Sequence, residues 1–408
     1  MVSLRGLASL VVVLSGASIL AACTPLPRGP AVQAADVPRA FPLGIANARF
    51  YADGDPAPMI AEATLAIERI KAALRAEGRP SQPIPPSSFL AISGGADNGA
   101  FGAGLINGWT TTGTRPEFRM VTGISTGALI APFAFLGPSY DGQLREVYTE
   151  LGSDSIFSRR AFTAALFSDA MAGTRPLAET IDRYVDGKML AAIGREYERG
   201  RLLMLGTTDL DAQRPVIWNI GAIAASGHPQ ALDLFRKILL ATAAIPGAFP
   251  PVMIDVEVDG TRYQEMHVDG GVNAQLFLYP GSFDPGLLPV RSQQTAYLIR
   301  NARLDSEHAE VERRTISIAG RAIGTMLQSA GYSDVALAYF LTKRDDVAYR
   351  LAYIGADFTV RRGRPFEQAY MRALFDYGYT KARSGKPWHL VPPGLHTTRA
   401  TRGSSPED

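Results

Sequence analysis

The stretch Phe118-Arg119-Met120-Val121-Thr122-Gly123-Ile124-Ser125-Thr126-Gly127-Ala128-Leu129-Ile130 decides how the chain is read. Residues 118–122 have the apolar and β-branched character of a strand, and 128–130 that of a buried helix. Between them stands Gly123-Ile124-Ser125-Thr126-Gly127, a G-x-S-x-G element. A serine on a sharp strand-to-helix turn has crowded neighbours, and glycine two residues before and after it leaves the room it needs. The following helix aims its first amides at negative charge developing nearby. A chain of this size shows the pattern by chance with probability roughly 0.2. The strand before it and the helix after it are what make it a nucleophile elbow.

Two further turns of the same kind flank it. Upstream, the strand Phe89-Leu90-Ala91-Ile92 runs into Ser93-Gly94-Gly95-Ala96-Asp97-Asn98-Gly99 and then a helix to about Trp109. Three glycines in six positions let the backbone present consecutive amides to an oxyanion; the plainer reading is a βα turn shaped for packing. A nucleotide loop is disfavoured, because the pattern is not G-x-G-x-x-G and no Walker lysine follows. Downstream, Asp269-Gly270-Gly271 follows a strand ending His267-Val268, 144 residues after Ser125. Such a triplet is commonly a turn, but ends of parallel strands are where such folds place their sites.

These three elements, in this order, resemble the patatin-like phospholipase family: its glycine-rich oxyanion loop, its G-x-S-x-G serine and its D-G-[GA] aspartate. Thr207-Thr208-Asp209-Leu210 with Pro215-Val216-Ile217-Trp218 looks like a family strand pair, and residues 241–252 look like the segment before the aspartate. The likeness covers about residues 88–280. It implies an α/β three-layer sandwich with a parallel-rich central sheet, Ser125 as nucleophile and Asp269 as general base. It also implies that the amides of Gly94, Gly95 and Ala96 form the oxyanion hole, that carboxylic esters of phospholipids, lysophospholipids or acylglycerols are the substrates, and that no metal or cofactor is needed. Two departures stand out. Ala96 replaces a usual glycine, which would cost about 1 kcal/mol if that position required φ > 0. Asn98 replaces a usual basic residue.

Around this core the chain divides by composition. Met1 to Ala22 carry Arg5, an apolar run and then small residues, as a secretory signal does. Leu20-Ala21-Ala22-Cys23 looks like a lipobox that would leave the only cysteine lipidated at a new N-terminus, and Thr24 after it favours the outer membrane over the inner. Residues 23–57 read as a lipidated N-terminus and Pro/Ala-rich tether, and 58–87 as a helix and linker, with Ile60, Ile67, Ile70 and Leu74 on one face. The catalytic domain is expected at 88–285, a C-terminal strand and helical region at 286–390, and a disordered tail at 391–408. Helix is expected at 141–199 and from about 306 to 342. The apolar run Ala161–Phe167 reads as a core helix or as a cap over an acyl channel.

Hydrophobic residues make up 46% and charged residues 20%, the balance of a globular core, and the net charge of +2 gives no electrostatic reason to bind nucleic acid. Five histidines and one cysteine, without C-x-x-C or H-E-x-x-H, leave little for a metal site. Two other readings stay open. One is a Ser–Asp–His triad that borrows His308, His389 or His396; the other is a non-catalytic envelope lipoprotein that keeps the fold.

Overall fold

The computed structural model describes residues 26–156, 158–159, 170, 172–289 and 292–395. Cys23 and its signal, the Ala161–Phe167 run, His396 and most of the expected tail lie outside the described residues.

One mixed sheet organises the chain. Its centre is five parallel strands in the order β6 (Leu202–Asp209), β3 (Met120–Ile124), β2 (Ser87–Ile92), β10 (Gln294–Arg300) and β11 (Ala348–Tyr353). Beyond β6 the sheet turns antiparallel through β7 (Arg214–Asn219) and β1 (Arg49–Tyr51). A hairpin of β8 (Val252–Val258) and β9 (Thr261–Asp269) joins the upper end of β6, also antiparallel. A separate ribbon pairs β4 (Ser158–Arg159) with β5 (Ala172–Gly173).

Helices cover both faces, which makes three layers. On one side lie α1 (Ala57–Ala76) and the second half of α9 (Thr315–Arg344), packed on Ala91, Leu298, Phe50 and Met204. On the other lie α2 (Gly99–Thr111), α3 (Thr126–Leu136), α4 (Asp141–Thr149), α5 (Arg175–Tyr184), α6 (Gly187–Glu198), α7 (Ile220–Ala225), α8 (Ala231–Thr242) and α10 (Gln368–Arg383). On this second side Phe101, Phe135, Phe235 and Phe375 are fully buried. α3 continues past Pro132, which removes one helical donor without ending the helix there.

Four expectations are corrected. The N-terminal tether is not free from residue 26 onward: Arg28 pairs with Asp211, Gly29 donates to Gln264, and β1 adds a strand to the sheet through β7. Its prolines break helix without preventing edge pairing. The charged run around His308 is not helical; α9 begins at Thr315, where an apolar face first appears. The C-terminal region, expected to hold one strand and helices, has a second strand, β11, which carries Tyr349 and Tyr353 and pairs with β10. Finally, β9, which ends in Asp269, runs antiparallel to β6, so Asp269 does not sit at the end of a parallel strand.

Candidate active site

β6 acts as the ruler of the site. Its edge pairs first with β3, as far as Ile124 opposite Gly206, and then with β9, beginning with Asp269 opposite Thr207. The chain that leaves β3 therefore turns into Ser125 beside the aspartate. Ser125 Oγ donates to Asp269 Oδ2 at 2.6 Å, and the other carboxylate oxygen accepts from Gly271 N at 2.7 Å. Ser125 is 7% and Asp269 5% exposed, so the pair is nearly closed to water. Burial outweighs both hydrogen bonds and pushes the Asp269 carboxyl up to about 6.

The elbow is strained and clamped. Ser125 has φ 54 and ψ −129, a conformation that costs about 1–3 kcal/mol for a residue with a side chain. Its N–H donates to Thr242 Oγ1 at 2.9 Å, and Thr242 in turn donates to Gly206 O at 2.6 Å. Thr242 is the last residue of α8 and fully buried. A Cβ on Gly123 would lie 2.6 Å from Gly127 O, and one on Gly127 would collide with the Ile92 and Ser93 carbonyls. Both glycines serve the close approach their positions suggested.

The glycine-rich loop is held from behind by Asn301, at the end of β10. Asn301 N donates to Ser93 Oγ at 2.8 Å, its Nδ2 to Ser93 O at 2.9 Å, and its Oδ1 accepts from Gly102 N at 3.0 Å. Gly95, at φ 158, lies against the Asn301 carbonyl where no Cβ fits. Ala96 adopts φ 50, the left-handed conformation that alanine tolerates poorly. Among the described residues, the Gly95 and Ala96 amides meet no acceptor, and Ala96 shares a cavity with Ser125. Gly94 departs from expectation, because its amide is already given to Gln275 O at 3.0 Å. What Gly94 supplies is space: a Cβ there would sit 3.2 Å from Ser125 Cβ.

A second latch comes from the C-terminal region. Asp97, 1% exposed, accepts from Arg362 Nη1 at 2.9 Å and from Phe366 N at 3.0 Å, while Tyr370 donates to Asn98 at 2.7 Å. Sequence reasoning had no signal for this latch, nor for Asn301. Thr242 offered a faint one, a hydroxyl within the apolar run Leu239-Leu240-Ala241-Thr242-Ala243.

The cavity that opens at Ser125 has a volume of about 80 Å³ and an apolar wall that includes Leu129, Phe133, Leu177, Ile181, Leu239 and Phe249. A larger apolar cavity, about 120 Å³, lies under α1 on the other face of the sheet and does not reach Ser125. It carries none of the chemistry.

The described histidines are elsewhere. His267, fully buried, bonds Thr207 and Glu265; His389 stacks on Tyr353 with ring centroids 4.8 Å apart; His228 accepts from Gln230 N; His308 is exposed. Among the described residues, none bonds Ser125 or Asp269. The donor atoms of Asp209, Glu265 and His267 do lie within 4.8 Å of one another. Arg49, however, binds both oxygens of Glu265, and Asp209 accepts the Asp211 and Ala212 amides. Burial alone would raise the Glu265 carboxyl, but the Arg49 guanidinium holds it down at about 2. This is an ion-paired brace between β1 and β9 and not an open metal site.

The serine elbow, the aspartate and the glycine loop thus converge in the order the sequence suggested. The family model described as "Patatin-like phospholipase" matches residues 90–278. The chain carries a patatin-like phospholipase domain. The match encloses Ser125, Asp269 and the glycine loop. Within the patatin-like domain lie all the strands of the sheet except β1, β10, β11 and the first residues of β2. No curated protein matches the chain by sequence. Among solved structures, the chain is similar to VipD from Legionella pneumophila at 12% identity and a TM-score of 0.35, covering 74% of this chain and 67% of that one. It is also similar to the type III effector protein ExoU, at 11% identity and a TM-score of 0.29, covering 76% and 56%.

Proposed function

We propose that the chain cleaves carboxylic esters of phospholipids, lysophospholipids or acylglycerols through a Ser125–Asp269 dyad. The observation that carries this reading is the 2.6 Å hydrogen bond between the two side chains, with no histidine joined to either among the described residues. Asp269, ionised above pH 6 or so, takes the Ser125 proton as Oγ attacks the ester carbonyl. The oxyanion receives the amides of Gly95 and Ala96. Collapse expels the alkoxide, which leaves with the proton held on Asp269. Water then gives its proton to Asp269 and attacks the acyl-serine, and the returning proton restores Ser125. The acyl chain lies in the apolar cavity next to the serine, where burial of each methylene contributes roughly 0.8 kcal/mol.

The test is a lipid panel digested by wild type, Ser125→Ala and Asp269→Asn, with products separated by class. Free fatty acid from the wild type alone supports the reading. Equal release by Ser125→Ala contradicts it. A triad would show itself if His308→Ala, His389→Ala or His396→Ala lost as much activity as Ser125→Ala.

We also propose that Cys23 is the lipidated N-terminus of the mature protein and that the enzyme is held at the outer membrane. Labelled palmitate incorporated by wild type and not by Cys23→Ser supports this; label that survives Cys23→Ser overturns it.

A further inference from the structure

Helix α9 is exposed over its first half, its apolar residues included. Residues 331–344 pack on the sheet through Val335, Ala338, Tyr339 and Leu341. Residues 315–330 precede the point where Gly331 meets the Arg300 side chain at the end of β10, so roughly 24 Å of helix projects past that strand end. This is the end of the sheet where Asn301 holds the glycine loop.

In this projecting half, Ile316, Ala319, Ile323, Met326, Leu327 and Ala330 follow helical spacing along one stripe. On the opposite side the contacts are polar and go to the loop before the helix: Arg321 donates to Glu307 O, and Gln328 to Arg303 O and Asp305 O. The apolar stripe faces solvent, with Ile316 75%, Ile323 58% and Met326 70% exposed. A soluble helix normally buries such a stripe, and an apolar stripe left outward marks an interaction surface.

A basic strap lies close by. Arg361, Arg362 and Arg364 are exposed, Arg362 is latched to Asp97 of the glycine loop, and Phe366 lines the Ser125 cavity. The strap and α9 both lie at one end of the sheet: Arg362 sits on Asp97 of the loop that Asn301 holds, and α9 passes the Arg300 side chain one residue before Asn301. The loop before α9 also carries acidic groups: Asp305 and Glu307 pair with Arg303, Glu312 pairs with Arg314, and Glu310 is exposed.

We propose that the projecting half of α9 lies in a lipid surface, with the arginine strap on anionic headgroups beside it. This rests on the lipid-hydrolase reading and adds the docking face to it. No described helix is long and apolar enough to cross a membrane, and α9 serves as an interfacial element that lies in the surface. Docking there brings the lipid surface to the end of the sheet that carries Ser125.

The test uses the full chain with Ser125→Ala, so that vesicles stay intact, and with Cys23→Ser and Met326→Cys, so that one thiol carries an environment-sensitive fluorophore. A blue shift on phosphatidylglycerol vesicles, weaker on phosphatidylcholine, is expected. In the otherwise wild-type chain, Ile323→Glu with Met326→Glu should lower vesicle phospholipid hydrolysis at least tenfold and leave a water-soluble short-chain ester unaffected. No shift on either vesicle, or a shift without lipid that grows with protein concentration, overturns the lipid occupant; the latter points to a second copy of the chain. Equal shifts on both vesicles overturn the role of the arginines. If Ser125→Ala still hydrolyses the soluble ester, the catalytic reading fails while the fluorescence result stands by itself.

Discussion

Asp269 stands one register step beyond Ile124 on the same edge of β6, opposite Thr207 where Ile124 is opposite Gly206. The strand before the serine and the strand ending in the aspartate therefore share one template, and the 2.6 Å contact follows from backbone pairing. No long loop has to find its partner, so the site is preorganised before substrate arrives.

The first consequence concerns pH. Asp269 works as a base only when ionised, and burial holds its carboxyl up at about 6. kcat/KM for a soluble ester should rise about tenfold per pH unit below that value and level off above it. A pH–rate profile between 4 and 9 checks this; an acid limb near the ordinary carboxylate value contradicts it.

The same shift bears on stability. The folded pKa, about 6, exceeds the ordinary 3.8, so the native state holds the proton more tightly. That contribution is present in full below about pH 4 and is lost as pH rises through 6. Asp269→Asn keeps an acceptor for Gly271 N and a donor towards Ser125 without the buried charge. It should be inactive, yet more stable than wild type at pH 8 by up to ~3 kcal/mol, with no such difference at pH 4. Denaturant unfolding at the two pH values measures it.

Thr242 is predicted to be a positioning residue. Thr242→Val leaves Ser125 N–H and Gly206 O buried without their partner, at about 1–3 kcal/mol. kcat should fall about tenfold or more with KM little changed, and Thr242→Ser should recover most of it. A variant that loses only thermal stability would make the residue merely structural.

Ala96 carries strain that a glycine would not. At φ 50, Ala96→Gly should stabilise the fold by about 0.5–1 kcal/mol, less what glycine's freer unfolded state takes back. Activity should be retained, because the donor is a backbone amide. Thermal melting together with ester hydrolysis tests both halves.

What the sequence made legible follows from local signals. The elbow around Ser125 and the α1 face of Ile67, Ile70 and Leu74 are written in nearby residues. β1 was missed because it is short and holds Arg49, whose fit depends on the distant Glu265, and β11 because its pairing with β10 is non-local. Pairing direction is equally non-local: nothing in Met266-His267-Val268-Asp269 says that it meets β6 antiparallel. The Gly94 amide belongs to the same class, since its acceptor, Gln275 O, is 181 residues away. The exposed stripe of α9 was hidden for the opposite reason, because periodicity gives an apolar face without saying which way it points.

The central claim is that Ser125 is the acylated residue and depends on Asp269 for its reactivity. Treatment with a fluorophosphonate ester, followed by peptide mass spectrometry, tests it most directly. The adduct should map to Ser125 in the wild type, form far more slowly in Asp269→Asn, and be missing in Ser125→Ala. An adduct on another serine, or undiminished labelling of Asp269→Asn, would contradict the account.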